Sequence, residues 1–342
     1  MHDLIADIKS QRETLLANAS LLDQAYDSSS RWTGGSDGFV ITGMATSLWA
    51  WHSASLILSG AAIGHAVADT SEYHRYGTAQ SDTSPLIITS RSGESAEIIN
   101  LLDVVQPGRP VIAVTASEHS TLGRKATHIL PFKAEEKAFY NTSSFTTTLC
   151  VATSMAAGLA NRTDLAPADW LTKLAENVDV VANLDQEVFA AAGGVIARSR
   201  VALMTARGHL IGVAKQASLD LQEGMRIAAI PVSGGLLRHG PMELINLPDS
   251  AVVMLIPNDH MAGIMARLAS DLIGYGGSVV AIAADGVSLP ATVNVIRVPE
   301  ATPELNAVIF AVALQKLNVS IAQALNMSSI DPVLIPKITR VE

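Results

Sequence analysis

The sequence predicts an α/β protein with two doubly wound parallel sheets in tandem. Three observations carry this reading. Short apolar segments bounded by turn residues alternate with longer segments of helical periodicity. The short segments are apolar throughout rather than alternating, as strands buried on both faces are. The series also occurs twice: Leu86 with Val252, Val111 with Ser278 and His128 with Asn294 are each about 166 residues apart, which points to an internal duplication.

Taken in order, residues 4–26 read as one helix, with Leu4, Ile8, Leu15 and Leu22 on one face. Residues 28–38 form a turn-rich linker. Strands are expected at 38–42, 86–89, 111–115 and 128–132, with a helix ending near Gly60 and another carrying Ile98, Leu101, Leu102 and Val105 on one stripe. A polar turn at 161–169 leads into a helix from Trp170 to Ala192, stopped by Gly193 and Gly194. The second series places strands at 200–205, 251–256, 279–283 and 293–298, and helices at 212–223 and 303–325. The domain boundaries follow: 1–30 N-terminal helix, 31–160 first α/β domain, 161–195 linker and helix, 196–325 second α/β domain, 326–342 tail.

Composition narrows the function. With 49% apolar and 16% charged residues over 342 positions, the chain can bury large cores and is not a disordered segment. A formal net charge of −9 argues against nucleic acid and anionic membranes as partners. Residues 39–68 and 138–161 lack Lys, Arg, Asp and Glu, but Ser, Thr, Gly, His or Asn interrupt them, so they read as buried strand–helix and loop–helix segments rather than spans. The N-terminus has no apolar core of a secretory signal. The single Cys150 excludes an internal disulfide and a Cys-based zinc site, and fits a reducing cytoplasm. No ligand cluster stands out, so neither metal nor cofactor is expected.

The sharpest local signal is Ser90-Arg91-Ser92-Gly93-Glu94-Ser95, between a strand end and a helix start. Backbone N–H groups and the positive end of the helix dipole converge there. The hydroxyls of Ser90, Ser92 and Ser95 add donors, and Gly93 allows close backbone approach. A phosphate monoester fits this loop; the bland alternative is a Ser-rich helix cap. The turn Gly43-Met44-Ala45-Thr46-Ser47 presents Thr46 and Ser47 in the same way. Neither turn carries a dinucleotide fingerprint or a P-loop, which favours a bare phosphate over NAD or ATP.

These motifs, with Thr142-Ser143-Ser144-Phe145-Thr146, Arg238-His239-Gly240-Pro241 and Lys337 in the tail, resemble those of tandem sugar isomerase (SIS) domain proteins. That family includes the isomerase half of glucosamine-6-phosphate synthase, the amino-sugar-phosphate deaminases and isomerases, and the fructosamine-6-phosphate deglycases. The resemblance spans nearly the whole chain. It implies that Ser47, Ser90, Ser92 and Ser95 hold a sugar phosphate, with Thr46, Arg91, Thr142 and Ser143 beside them. It implies a proton-shuttling carboxylate at Glu223, sixteen positions before a ring-opening histidine at His239, and a lysine at Lys337 that engages the open-chain sugar. Read from the residues alone, Glu223 opposes a helix dipole or is a solvated carboxylate, His239 is an adaptable loop acid–base or a capping residue, and Lys337 is an imine-forming amine or a surface lysine. Met44 and Ala45 replace residues usual in the family's turn, and Asp220 and Gln216 stand where the synthases have Lys and Glu. Met1-His2 offers no glutaminase cysteine, so ammonia is expected to be free rather than channelled.

The resemblance thus implies a metal-free enzyme acting at C1 and C2 of an open-chain hexose 6-phosphate. Glucosamine 6-phosphate deamination to fructose 6-phosphate, or aldose–ketose isomerisation, comes first. A fructosamine-6-phosphate deglycase and a non-catalytic sugar-phosphate sensor are the alternatives. A cytoplasmic homodimer with shared sites is expected.

Overall fold

The structure, a computed structural model, describes residues 1–32 and 38–342. Part of the expected linker at 28–38 therefore lies outside the described residues. The chain divides into two compact units. One comprises Glu13–Glu136, Ser143–Lys173 and Val333–Glu342 and is called here the first unit; the second comprises Met1–Arg12, Lys137–Thr142 and Leu174–Pro332.

Each unit is built on a five-stranded parallel sheet. The first contains β1 (Phe39–Gly43), β2 (His65–Asp69), β3 (Leu86–Thr89), β4 (Val111–Thr115) and β5 (His128–Pro131), in the order β2-β1-β3-β4-β5. The second contains β6 (Val201–Ala206), β7 (Ala228–Ser233), β8 (Ser250–Ile256), β9 (Val279–Ala284) and β10 (Asn294–Val298), in the order β7-β6-β8-β9-β10. The two orders are the same. In both sheets the central strands are buried along their length, because helices cover both faces. That double cover is why their sequences read as unbroken apolar runs.

The sequence reading passed over β2 and β7. Both are edge strands. His65–Asp69 is only partly buried, and Ala228–Ser233 contains Pro231, which an edge tolerates and an interior strand does not. Neither therefore shows the continuous apolar signature.

Two helical expectations need correction. The single helix expected over 4–26 is three helices, His2–Lys9, Gln11–Ala17 and Ala19–Ser29. The first break has Ser10 Oγ donating to Asp7 O at 3.0 Å. At the second, Asn18 Nδ2 donates to Lys133 O at 2.9 Å while its Oδ1 accepts from Lys133 N at 2.8 Å. These side chains compete with the helical ladder for backbone groups. The apolar face was nonetheless read correctly, since Leu4, Ile8, Leu15 and Leu22 are all buried. The helix expected over 170–192 ends at Ala182, and the helix Ala190–Ala197 runs through Gly193 and Gly194 instead of stopping there. A Cβ on Gly193 would stand 2.5 Å from Ser320 Oγ. Close approach to the helix Asn306–Ala324, rather than a helix stop, calls for glycine there.

The charge-poor segment beginning at Ala138 forms the helix Ser143–Leu159, every residue of which is buried in the first unit. Among the described residues one helix, Asn306–Ala324, is long and apolar enough to cross a bilayer, and 89% of its most apolar window is buried in the protein.

Candidate functional site

The first unit brings the two predicted phosphate turns together. Strand β1 pairs with β3, and Gly43 is in register with Thr89, so the turns that follow these strands are neighbours. They flank the point where strand order reverses, since β1 has β2 on one side and β3 on the other. Ligands of open parallel sheets bind in that crevice, outside the carboxyl ends of the strands. The helix Thr46–Gly60 starts at one turn and the helix Ala96–Val104 at the other.

The Ser90–Ser95 loop is held rigidly. Ser90 Oγ accepts from Gly93 N at 3.1 Å and Ser92 Oγ accepts from Glu94 N at 3.2 Å. Arg91 O accepts from Ala116 N at 3.0 Å, and Gly93 O accepts from Leu122 N at 3.2 Å. Glu94 reaches out to accept from Thr121 N at 2.6 Å and from Thr121 Oγ1 at 3.0 Å. Gly93 has φ +64°, and a Cβ there would lie 2.1 Å from Ser120 Oγ, so the loop admits only glycine at this position without rearrangement.

The hydroxyl pattern speaks against a mere helix cap. Ser95 occupies the N-cap position, yet its side chain makes no capping bond. The hydroxyls of Ser47 and Ser95 have no hydrogen-bond partner among the described residues, and the hydroxyl protons of Ser90 and Ser92 are not used by the bonds in which their oxygens accept. Ala45, just before the other helix, has φ 43° and ψ −117°, a conformation that an L-residue rarely adopts. Such strain costs on the order of 1–3 kcal/mol and is concentrated in proteins at functional turns.

Arg91 is not a loose cation. Its Nη1 lies 3.1 Å from Glu136 Oε2, whose side chain is fully buried. Glu136 also accepts from Ser144 N at 2.7 Å and from Ser144 Oγ at 3.1 Å, with Ser143 Oγ at 3.5 Å. Ser143 and Thr142 are both fully buried; Ser143 belongs to the first unit and Thr142 to the second. The sequence reading named Ser144 only within the motif at 142–146 and missed Glu136 altogether, because nothing in the local pattern marks a carboxylate that holds a distant arginine.

The tail segment carrying Lys337 is docked on the first unit. Thr339 O accepts from Ala96 N at 3.0 Å, at the start of the helix after the serine loop. Glu342 pairs with Arg75 at 2.8 Å and accepts from Asn100 Nδ2 at 2.6 Å. Lys337 itself is exposed, two residues before the first of these anchors.

The second unit holds Glu223 and His239. The helix Ile211–Asp220 passes into a π-helical turn, Leu221–Met225, so Glu223 sits in a widened turn rather than in the last α-helical turn expected from the sequence. Such π-turns are frequent at functional sites. Glu223 is half-buried, and among the described residues its carboxylate has neither a hydrogen bond nor an ion pair. Burial raises its pKa above the ordinary glutamate value, as a general base working near neutral pH requires. His239 is exposed at the end of a short turn, Leu236–His239, directly before Gly240 with φ 131° and Pro241.

One turn before Glu223 lies Asp220, 4% exposed. Its Oδ1 accepts from Gln216 Nε2 at 2.7 Å and its Oδ2 from Asn318 Nδ2 at 2.9 Å, while its backbone carbonyl accepts from Tyr140 Oη at 2.7 Å. Burial, reinforced by the nearby charge of Glu223, pushes Asp220 up to about 7 against the two amide donors. A carboxyl held at a higher pKa in the folded than in the unfolded chain favours folding when protonated. Its contribution is complete below about pH 4 and is lost as pH rises to about 7, roughly 4 kcal/mol in all. Asp220→Asn removes this dependence. The variant is expected to unfold at a higher temperature than the parent at pH 8, with the difference shrinking towards pH 4; calorimetric scans across that range check it.

With both clusters described, the relatives can be placed. Residues 41–157 match the SIS domain family. Over 269 residues it is 29% identical to the glutamine–fructose-6-phosphate aminotransferase of Neisseria meningitidis, covering 74% of this chain and 43% of that protein. Over 254 residues it is 26% identical to the aminotransferase of the same name from Gluconobacter oxydans, covering 71% and 42%. The chain thus spans less than half the length of these relatives. Among solved structures, the C-terminal domain of glucosamine-fructose-6-phosphate aminotransferase from Francisella tularensis superposes with a TM-score of 0.82 at 19% identity, covering 97% of this chain and 98% of that one. Glucosamine-6-phosphate deaminase of Thermotoga maritima gives 0.76 at 18%, covering 98% and 99%, and tagatose-6-phosphate ketose/aldose isomerase of Escherichia coli gives 0.75 at 20%, covering 98% and 96%. At these identities the likeness defines the fold.

Proposed function

We propose that the protein is a phosphosugar enzyme that moves a proton between C1 and C2 of an open-chain hexose 6-phosphate, and that its reaction is deamination of glucosamine 6-phosphate. The observation that carries this reading is the half-buried, unpaired Glu223 with raised proton affinity, in a SIS-domain chain whose serine loop has hydroxyls left over for a phosphate. The family resemblance gives the roles. Ser47, Ser90, Ser92 and Ser95 grip the phosphate together with the turn amides, with Thr46 beside them. Arg91, fixed by Glu136, adds positive potential, and Thr142 and Ser143 contribute to substrate binding. His239 transfers a proton from the C1 hydroxyl to the ring oxygen, opening the ring. Glu223 then takes the C2 proton while the C1 carbonyl oxygen gains one from water, giving an enolamine, and delivers its proton to C1 as the nitrogen releases one. Water hydrolyses the resulting C2 imine to fructose 6-phosphate and ammonia. Lys337 supports the open-chain carbonyl. Binding energy from the distant phosphate orients the reacting carbons, so truncated sugars lacking it should turn over slowly.

The shared strand order of the two sheets supports an internal duplication, with domains close to 31–160 and 196–325. The working unit in this reading is a cytoplasmic homodimer, and light scattering at twice the chain mass would bear that out. Ammonia release from glucosamine 6-phosphate tests the deaminase. Turnover of fructosamine 6-phosphates alone would assign a deglycase. Binding without turnover, unaltered in Glu223→Gln, would assign a sensor.

A further inference from the structure

Glu223 is not the only carboxylate on its helix. Asp220 lies three residues earlier, close enough for the charge of Glu223 to act on it. A buried carboxylate ordinarily has a cationic partner. Asp220 instead has two neutral amide donors, Gln216 and Asn318, and among the described residues neither it nor Glu223 is in an ion pair. Tyr140 stands beside it, and Arg226 and Asp331 lie near that tyrosine. The tyrosine donates to the Asp220 backbone carbonyl. The Arg226 side chain is turned to Gly224 O, and Asp331 adds further negative charge.

A second, independent observation points the same way. Gln216 is 5% exposed and its Nε2 is used on Asp220, but its Oε1 is buried without a hydrogen-bond partner among the described residues. An unpaired buried acceptor is costly, and a donor brought by a ligand would relieve it. Two uncompensated carboxylates and an orphan acceptor call for a ligand group that is positively charged and rich in N–H.

We propose that Asp220 is a specificity-determining residue: with Glu223 and the free oxygen of Gln216 it favours an open-chain sugar phosphate bearing an ammonium or iminium nitrogen at C1 or C2 over its hydroxyl or carbonyl counterpart. This rests on Glu223 being the group that works on C1 and C2. It goes further in giving Asp220 the choice of substrate, acting through its field rather than by touching the reacting atoms.

Two unreactive open-chain probes isolate the effect: 2-amino-2-deoxyglucitol 6-phosphate and glucitol 6-phosphate, which differ in an amine against a hydroxyl at C2. Calorimetric titration of the parent protein at pH 7.5 is expected to show the amine bound at least about tenfold more tightly, a difference of 1.4 kcal/mol. In Asp220→Asn the preference should fall to near unity, with the glucitol affinity unchanged. The variant is suited to this because Gln216 can turn its free oxygen to the new amide. Its melting temperature at the same pH shows that it is folded. Equal binding of both probes by the parent, a preference that survives in Asp220→Asn, or equal weakening of both probes by the variant would overturn the proposal while leaving the sugar-phosphate reading intact. Failure of the parent to bind either probe would overturn both.

Discussion

Glu223→Gln is expected to lower turnover of the sugar phosphate by about 10²–10⁴-fold while leaving substrate binding close to that of the parent. The side chain is nearly isosteric, and Glu223 makes no hydrogen bond or ion pair within the described residues that the change would break. What disappears is the ability to accept the C2 proton. The effect should therefore fall on kcat and leave KM nearly unchanged, the mark of an interaction needed in the transition state rather than in the complex. A variant that kept full turnover would remove Glu223 from the mechanism. Because burial raises the glutamate's pKa, the acidic limb of the parent's kcat/KM profile is expected above the ordinary carboxylate range, since the base must be ionised to act. Parallel measurements of rate and affinity from pH 4 to 8 check both points.

Ser92→Trp is expected to abolish sugar-phosphate binding. Ser92 lies on a loop tied at nearly every residue, including the Glu94 N–H that its own oxygen accepts, so the loop cannot yield to a bulky side chain by simple displacement. At a ligand concentration one hundred times the dissociation constant, the parent should gain about 2.7 kcal/mol of stability, and the variant should show no ligand-dependent shift in melting temperature. Ser95→Ala is the milder companion. Its hydroxyl makes no capping bond, so the fold should be undisturbed, while affinity for inorganic phosphate falls several-fold through loss of one donor. An undiminished thermal shift in both variants would place the phosphate elsewhere.

Much of this was legible in the chain itself, and for identifiable reasons. The buried strands β1, β3, β4, β8 and β9 announce themselves because two-sided cover demands unbroken apolar runs. The serine loop was visible because phosphate chemistry concentrates small donors and glycine at one strand end. Edge strands β2 and β7 escaped notice because partial exposure and Pro231 blur the pattern. The long N-terminal helix looked continuous because the breaks at Ser10 and Asn18 depend on side-chain bonds, one of them to a residue 115 positions away. The same holds for Glu136 with Arg91 and for Asn318 with Asp220: long-range pairing of polar side chains has no local signature. Gly193 misled because glycine ends helices more visibly than it permits them to approach.

The central claim is that one carboxylate carries a proton between neighbouring carbons of a phosphate-anchored sugar. It is tested most directly by incubating the protein with glucosamine 6-phosphate in D₂O and following the sugar by NMR. The account predicts ammonia together with fructose 6-phosphate whose C1 carries the protium taken from C2, with deuterium there only to the extent that the Glu223 proton exchanges with solvent before its return, formed by the parent and by neither Glu223→Gln nor Ser92→Trp. Fructose 6-phosphate and ammonia formed at the parental rate by Glu223→Gln, or a sugar left without product or deuterium by the folded parent protein, would contradict it.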